Sequence, residues 1–525
     1  MLLALLLGLA AAAAPPGLRV EGKGFASGFD TIVEADLARD LHALSDPALE
    51  GRDTPSLGLE RAAAIVEERF AAAGLAAAYA DAAEGGFRRP FKRRLPEPDA
   101  DGCSLEIVGD AATKLELGRE FVPVTGFPGE AEGEIVFAGY GIRSKTERYD
   151  DFAGLKLTGR IALLLEGEPR HDRKFDGPEI SRAASLWDKI DAIAEAGAAG
   201  VLAVRRPAAA PAKPKPGAPA AAPAGPGLSF RYTWAEWNGV TSDPPAKKRV
   251  PVLEVSLACA TALLGTDVEA LADRIDRASK PAKGPGGDRK VRMRSRTKEA
   301  SVAIDNLVGL LRGGDPVLQA EFVVVGAHYD HVGIDGRGRI ACGADDNASG
   351  VAGMLEIAEA MALAGPRRSV LFCAFAGEED GLLGSQAFCG DLPVPKDKIV
   401  GMVNLDMIGR GDAGEVAVLG IVQNPALDKV LARARKLKAS GLREVVTRQG
   451  EELFERSDHY SFHKIGVPVL FFFEGLPIEK NPDYHTWRDT LDKIDTDKML
   501  NTTRFVYNAT WILTDDDERP PPPRG

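Results

Sequence analysis

Phe322-Val323-Val324-Val325-Gly326-Ala327-His328-Tyr329-Asp330-His331 is the stretch that decides the fold. An apolar run without polar alternation reads as a strand covered on both faces, and this one delivers an imidazole at its end. The same pattern fits strands at 322–325, 370–375, 399–405, 416–419 and 467–473, separated by helices at 350–363, 425–437 and 498–513. Apolar strands alternating with helices predict an α/β domain over 305–515, a mixed, mostly parallel sheet flanked by helices. Active groups of such sheets gather at the carboxyl ends of the strands. His328, Glu378 and Asp406 each follow directly on a predicted strand, so the sheet brings them to one edge.

Working outward from His328, the series His328, Asp346, Glu378-Glu379, Asp406 and His485 offers imidazoles and carboxylates in a set suited to two zinc ions sharing one carboxylate. Asp330 is placed to accept the second ring N–H of His328 and so fix its tautomer. His331 has no such support in the sequence and reads as structural. In Gly343-Ala344-Asp345-Asp346-Asn347-Ala348-Ser349-Gly350 the polar residues also suit the cap of the helix that follows, and a carboxylate there is favoured in its charged form. Asp346 is the first choice for a bridging ligand and Asp345 the second. Glu378 and Glu379 close a very apolar strand, which makes a solvated surface pair a poor explanation. Adjacent side chains in extended backbone point opposite ways, so one can bind metal while the other acts as general base. Asp406 lies between apolar runs and needs a partner, which a metal supplies. His485 stands in the polar loop Tyr484-His485-Thr486-Trp487-Arg488-Asp489, where Asp489 is placed to orient it. Asp458, in Ser457-Asp458-His459, reads with Tyr484 and Asp489 as part of the surrounding shell or the substrate wall. Ser349 is not in a GxSxG elbow, so a serine hydrolase would survive only if chelators left activity intact.

The 525 residues suggest roughly two to four domains. A net charge of -12 leaves no basic patch to argue for nucleic acid or an anionic membrane. Residues 1–14 are apolar and end in small residues before Pro15-Pro16, as in a signal peptide, although no Lys or Arg precedes the run. Export follows from that reading, and no stretch reaches the roughly 20 apolar residues of a membrane span. The five cysteines contain no CxxC, which gives no zinc ribbon and leaves at most a disulfide that the sequence does not assign.

Residues 25–130 are expected to form the N-terminal part of the catalytic domain, with helical periodicity within 31–75 and a turn-like Leu49-Glu50-Gly51-Arg52. A second unit of strands and one amphipathic helix fits 131–275. Its 207–227 segment, almost wholly Ala, Pro, Gly and Lys, cannot build a core. The basic, Gly- and Pro-containing stretch 276–304 reads as a linker, and 516–525 as a disordered tail.

Taken together, HYDH at 328–331, GADDNASG at 343–350, FAGEEDGLLGS at 375–385, NLDMIG at 404–409, SDHYSFHKIGVP at 457–468 and YHTWRDT at 484–490 resemble the M28 metallopeptidases, a family of co-catalytic zinc aminopeptidases and carboxypeptidases. LEGRDTPSLGLERAAAIVEERFAAAGL at 49–75 resembles that family's N-terminal helix, and 131–275 resembles an inserted protease-associated domain. The resemblance implies the zinc-peptidase, phosphorylase/hydrolase-like fold with this smaller β-rich insert. It also implies two zinc ions per chain, one on His328, Asp346 and Asp406, the other on Asp346, Glu379 and His485. It further implies Glu378 as general base, Asp330 as the orienter of His328, and a peptide as substrate. No ligand position is missing, which argues against a receptor-like member and against the single-zinc glutaminyl cyclases. An aminopeptidase is the expected activity, a carboxypeptidase or dipeptidase the alternative, and a non-catalytic binding protein the third.

Overall fold

The computed structural model describes residues 24–81, 86–109, 113–171, 174–175, 181–206, 250–282, 284, 286–335 and 339–523. The expected signal peptide at 1–14, the segment 207–227 and residues 524–525 lie outside them. The chain divides into two compact units, one of residues 1–91, 304–333 and 341–525, the other of 92–303 and 334–340.

The first unit carries a mixed sheet. Its central strands Ser369–Phe375, Phe322–His328, Ile399–Leu405 and Val469–Phe473 lie side by side in that order and run parallel. Thr297–Leu311 is antiparallel to Ser369–Phe375 on one flank. On the other, Glu415–Leu419 is antiparallel to Val469–Phe473. The period of two sends alternate side chains to opposite cores. Val323, Val325, Val370, Phe372, Val403 and Leu470 join a core with helices Gly350–Ala364 and Thr496–Asp515. Val324, Leu371, Cys373, Met402 and Phe471 join a second with Phe388 and Phe462. Register sets His328 opposite Phe375 and Gly326 opposite Asn404, so the carboxyl ends of three neighbouring strands are level. The α/β architecture expected from the apolar runs is the one observed.

The second unit has a sheet of its own, in which Gly286–Ser295, Gly129–Phe137, Ile161–Leu165, Gly200–Val204 and Val252–Val255 are neighbours in that order. Helix Leu186–Glu195 covers one face, and helices Leu257–Leu264 and Val268–Ala278 the other. Two boundaries differ from the expected ones. Residues 92–130, expected with the first unit, belong to this one. The stretch 276–304 is not a linker: it ends helix Val268–Ala278 and then runs through two strands. Val291 and Met293 are fully buried, while Lys290 and Arg292 pair with Glu132 on the adjacent strand. Basic residues that looked like linker solvation are thus the outward face of an antiparallel strand.

The expected tail is also ordered over most of its length. Asn424 Nδ2 donates to Pro521 O at 2.8 Å, Arg519 to Asp397 O at 3.0 Å and Arg367 to Asp517 Oδ1 at 2.8 Å, so polar contacts hold it. The five cysteines are free thiols. Among the described residues no helix is long and apolar enough to cross a membrane.

Candidate metal centre

Three strand ends and two loops build the site. Strand Phe322–His328 stops at His328, Ser369–Phe375 leads through Ala376-Gly377 to Glu378-Glu379, and Ile399–Leu405 stops one residue before Asp406. Asp345 and Asp346 stand in the helical turn Ala344–Ser349 ahead of helix Gly350–Ala364. Asn347 fixes that turn to the sheet. Its Nδ2 donates to Leu405 O at 3.0 Å, and its Oδ1 accepts from Gly350 N at 2.9 Å and Met407 N at 3.1 Å. The capping acceptor expected in this polar stretch is therefore the Asn347 side chain, since Ser349 at the N-cap position makes no side-chain cap. Ser349 Oγ donates to Asp345 O at 2.7 Å and accepts from Ile408 N at 3.0 Å, so it holds the backbone.

Asp346 is the centre of the arrangement. Its Oδ1 is 3.4 Å from His328 Nε2 and its Oδ2 is 3.2 Å from His485 Nε2. His328 Nε2 is also 3.3 Å from Asp406 Oδ1, and His485 Nε2 is 2.8 Å from Glu379 Oε2. Each imidazole thus faces one oxygen of Asp346 and one further carboxylate. Asp345 turns away, accepting from Gly409 N at 2.8 Å. Ligand atoms of His328, Glu378 and Asp406 lie within 4.8 Å of one another, as do those of His331, Asp346 and Glu379.

The buried imidazoles and carboxylates hold one another in their charged forms. Burial alone would raise the Asp346 carboxyl, but His331, His328 and His485 hold it well below the usual range. Glu379 is likewise buried and beside Asp346, yet His485 and His331 hold it at about 2. The same carboxylates draw His485 up to about 10 against the effect of its burial. Asp346 Oδ2 is buried and meets no donor with hydrogen-bond geometry, although two imidazoles approach it. Mixed imidazole and carboxylate donors converging within one small volume suit zinc.

The surrounding shell differs in detail from expectation. His328 Nδ1 faces the backbone O of Asp330 at 3.2 Å, with the carboxylate Oδ1 at 3.7 Å. That carboxylate accepts from Glu378 N and Thr54 Oγ1, each at 3.2 Å. Asp489, expected to orient His485, accepts the amides of Asp345 and Asp346 at 3.0 Å and so fixes the bridging residue. Tyr484 stacks on His485 with ring centroids 3.8 Å apart, and its hydroxyl accepts from Arg456 Nη2 at 3.2 Å. Asp458 is fully buried, which pushes its carboxyl up to about 7 despite the nearby His328. His331, read as structural, lies in the centre itself, with Nδ1 2.9 Å from Glu379 Oε1. Its partner comes from 48 residues away, and only a repeated imidazole in HYDH hinted at it.

The model of peptidase family M28 matches residues 306–510. A probable leucine aminopeptidase of Arthroderma otae is 34% identical over 204 residues, 38% of this chain and 56% of that protein. Leucine aminopeptidase 1 of Ajellomyces dermatitidis is 30% identical over 202 residues, 36% and 52% of the two chains. The chain thus spans little more than half the length of these relatives. A solved zinc aminopeptidase of Bacillus subtilis aligns over 92% of this chain and 95% of its own, with a TM-score of 0.50 and 19% identity, a likeness of fold. Every side chain of the centre falls within 306–510, the residues that carry the peptidase family M28 domain.

Proposed function

We propose that the chain is an exported di-zinc exopeptidase, an aminopeptidase that removes N-terminal residues from peptides. The observation that carries the reading is Asp346, whose two carboxylate oxygens face two different imidazoles. His328, Asp346 and Asp406 would hold one ion, and Asp346, Glu379 and His485 the other. When bound, such ions supply an acidified water and polarise the scissile carbonyl. Glu378 is the proton carrier. Burial first, and then the charges of Glu379 and Asp406, raise its carboxyl well above the ordinary value. A carboxylate so placed takes a proton readily and returns it to the leaving amine. Its amide donates to Asp330, which keeps the backbone of the Glu378-Glu379 pair fixed beside His328. The names of the relatives favour cleavage at the amino end. Export rests on the apolar 1–14 stretch, and the second unit is read as a protease-associated-like insert.

One observation favours cleavage at the carboxyl end. Arg456 is exposed beside Tyr484 and is suited to a terminal carboxylate, whereas Arg410 is engaged by Asn481 and Asp483. Hydrolysis of free-amine, N-blocked and C-blocked peptide panels, with zinc content measured alongside, tests both readings. Two zinc ions per chain and turnover only of free-amine substrates are expected. Turnover of N-blocked peptides would overturn the aminopeptidase reading, and full activity after zinc removal would overturn the metal chemistry.

A further inference from the structure

The Leu49-Glu50-Gly51-Arg52 turn has no part in the chemistry proposed above, yet it lies against it. Arg52 has φ 54° and is 1% exposed. Its guanidinium spends its donors on backbone carbonyls. Nε donates to Tyr329 O at 2.9 Å, Nη2 to Gly343 O at 3.1 Å, and Nη1 to Cys342 O at 2.7 Å and to Leu44 O. Tyr329 separates His328 from Asp330, and Cys342-Gly343 leads into Asp345-Asp346. One side chain therefore spans both ligand loops. The backbone repeats the contact: Arg52 O accepts from His331 N at 3.2 Å and Gly51 O from Gly333 N at 3.0 Å. Gly51 has φ 72°, and a Cβ on it would lie 2.5 Å from Gly333 O and Ala341 O, so the close approach needs glycine.

A buried guanidinium is normally matched by a carboxylate. Here the hydrogen-bond partners are neutral carbonyls, and the charges acting on it include Asp346, Asp489 and Asp330 of the metal centre. A planar fork of fixed donors can hold several carbonyls at set spacing, which a lysine ammonium cannot. We propose that Arg52 is a positioning residue for the metal centre, holding the His328–Asp330 loop and the 343–347 loop at their ligand separation before any ion binds.

The inference rests on the two-metal reading. Arg52→Lys tests it, with Arg368→Lys as control, since Arg368 is equally buried in the same unit but donates to Glu321 Oε2, Leu513 O and Asp516 O, away from the metal centre. Chelator competition for zinc should show Arg52→Lys weakened on the order of 10–100-fold. Its cobalt(II)-substituted form should show an altered visible spectrum. Arg368→Lys should leave both unchanged. Wild-type affinity and spectrum in Arg52→Lys would overturn the proposal. Hydrogen exchange on the unmodified, metal-free protein tests it without a variant. The His331 and Gly333 amides should remain protected, and protection that appears only when zinc is added overturns the proposal. Wild-type protein that binds no zinc would overturn both readings, whereas tight zinc binding by wild type and Arg52→Lys alike sinks this one alone.

Discussion

Glu378 and Glu379 are neighbours in the chain with opposite proton affinities. Glu379 meets two imidazoles and stays ionised, while Glu378 faces Asp406 and Glu379 from a buried position and is drawn toward its protonated form. Glu378→Gln should therefore lower kcat by about 10² or more and leave the zinc content at its wild-type value. Glu379→Gln should lower the zinc content itself, as measured by atomic absorption. Identical zinc loss in both variants would contradict the division of labour. His331 makes the converse point about legibility. Types and order of the series were readable in the sequence because strand ends deliver His328, Glu378 and Asp406. The contact of His331 with Glu379 exists only once two strands are side by side. His331→Gln should weaken zinc binding by roughly 10-fold in chelator competition, the scale of losing a group that supports a ligand. Unchanged affinity would return His331 to the structural role read from the sequence.

Among the elements, the parallel strands were legible because burial on both faces leaves them apolar throughout. The strand Gly286–Ser295 was not, because four of its ten residues are basic and the acidic partner of Lys290 and Arg292 lies on another strand. Helix packing hides a similar dependence on distant charge. Glu356 on helix Gly350–Ala364 and Asp40 on helix Glu34–Leu44 are both buried, and both meet Arg69 of helix Leu57–Ala72, at 3.1 and 3.0 Å. Burial, with Glu359, Asp36 and Asp40 nearby, pushes Glu356 up to about 8 although Arg69 opposes the shift. A carboxyl whose folded value is raised stabilises most below its unfolded value. That contribution is lost as pH rises from about 4.5 toward about 8. Arg69→Met should cost about 3 kcal/mol at pH 8, where the buried carboxylates keep only the more exposed Arg39 as a cation, and less at pH 5, where Glu356 holds its proton. Urea unfolding at the two pH values measures the difference, and equal losses would remove Glu356 as the cause. Glu356→Gln should flatten the slope between them.

On the scale of the whole molecule, each unit has cores on both faces of its own sheet, and the cores of the two units share no residue. The chain passes between the units within the strands Arg88–Pro98 and Thr297–Leu311, and again at 333–334 and 340–341. Independent cores predict independent melting, since cooperativity follows the contacts that must be lost together. The metal centre belongs wholly to the first unit, because 328, 346, 378, 379, 406 and 485 all fall in its segments. A ligand that binds only the folded form stabilises by RT ln(1 + [L]/Kd), about 4 kcal/mol when free ligand is 1,000 times Kd. That gain should fall on one unit alone. Calorimetry of the zinc-loaded protein should resolve two transitions, and a chelator should lower the Tm of one by several degrees while the other stays in place. Asp346→Asn, which removes the shared ligand, should reproduce the chelator's effect without added chelator and leave the second transition untouched. A single transition that moves as a whole on chelation would mean that the two cores unfold as one cooperative body.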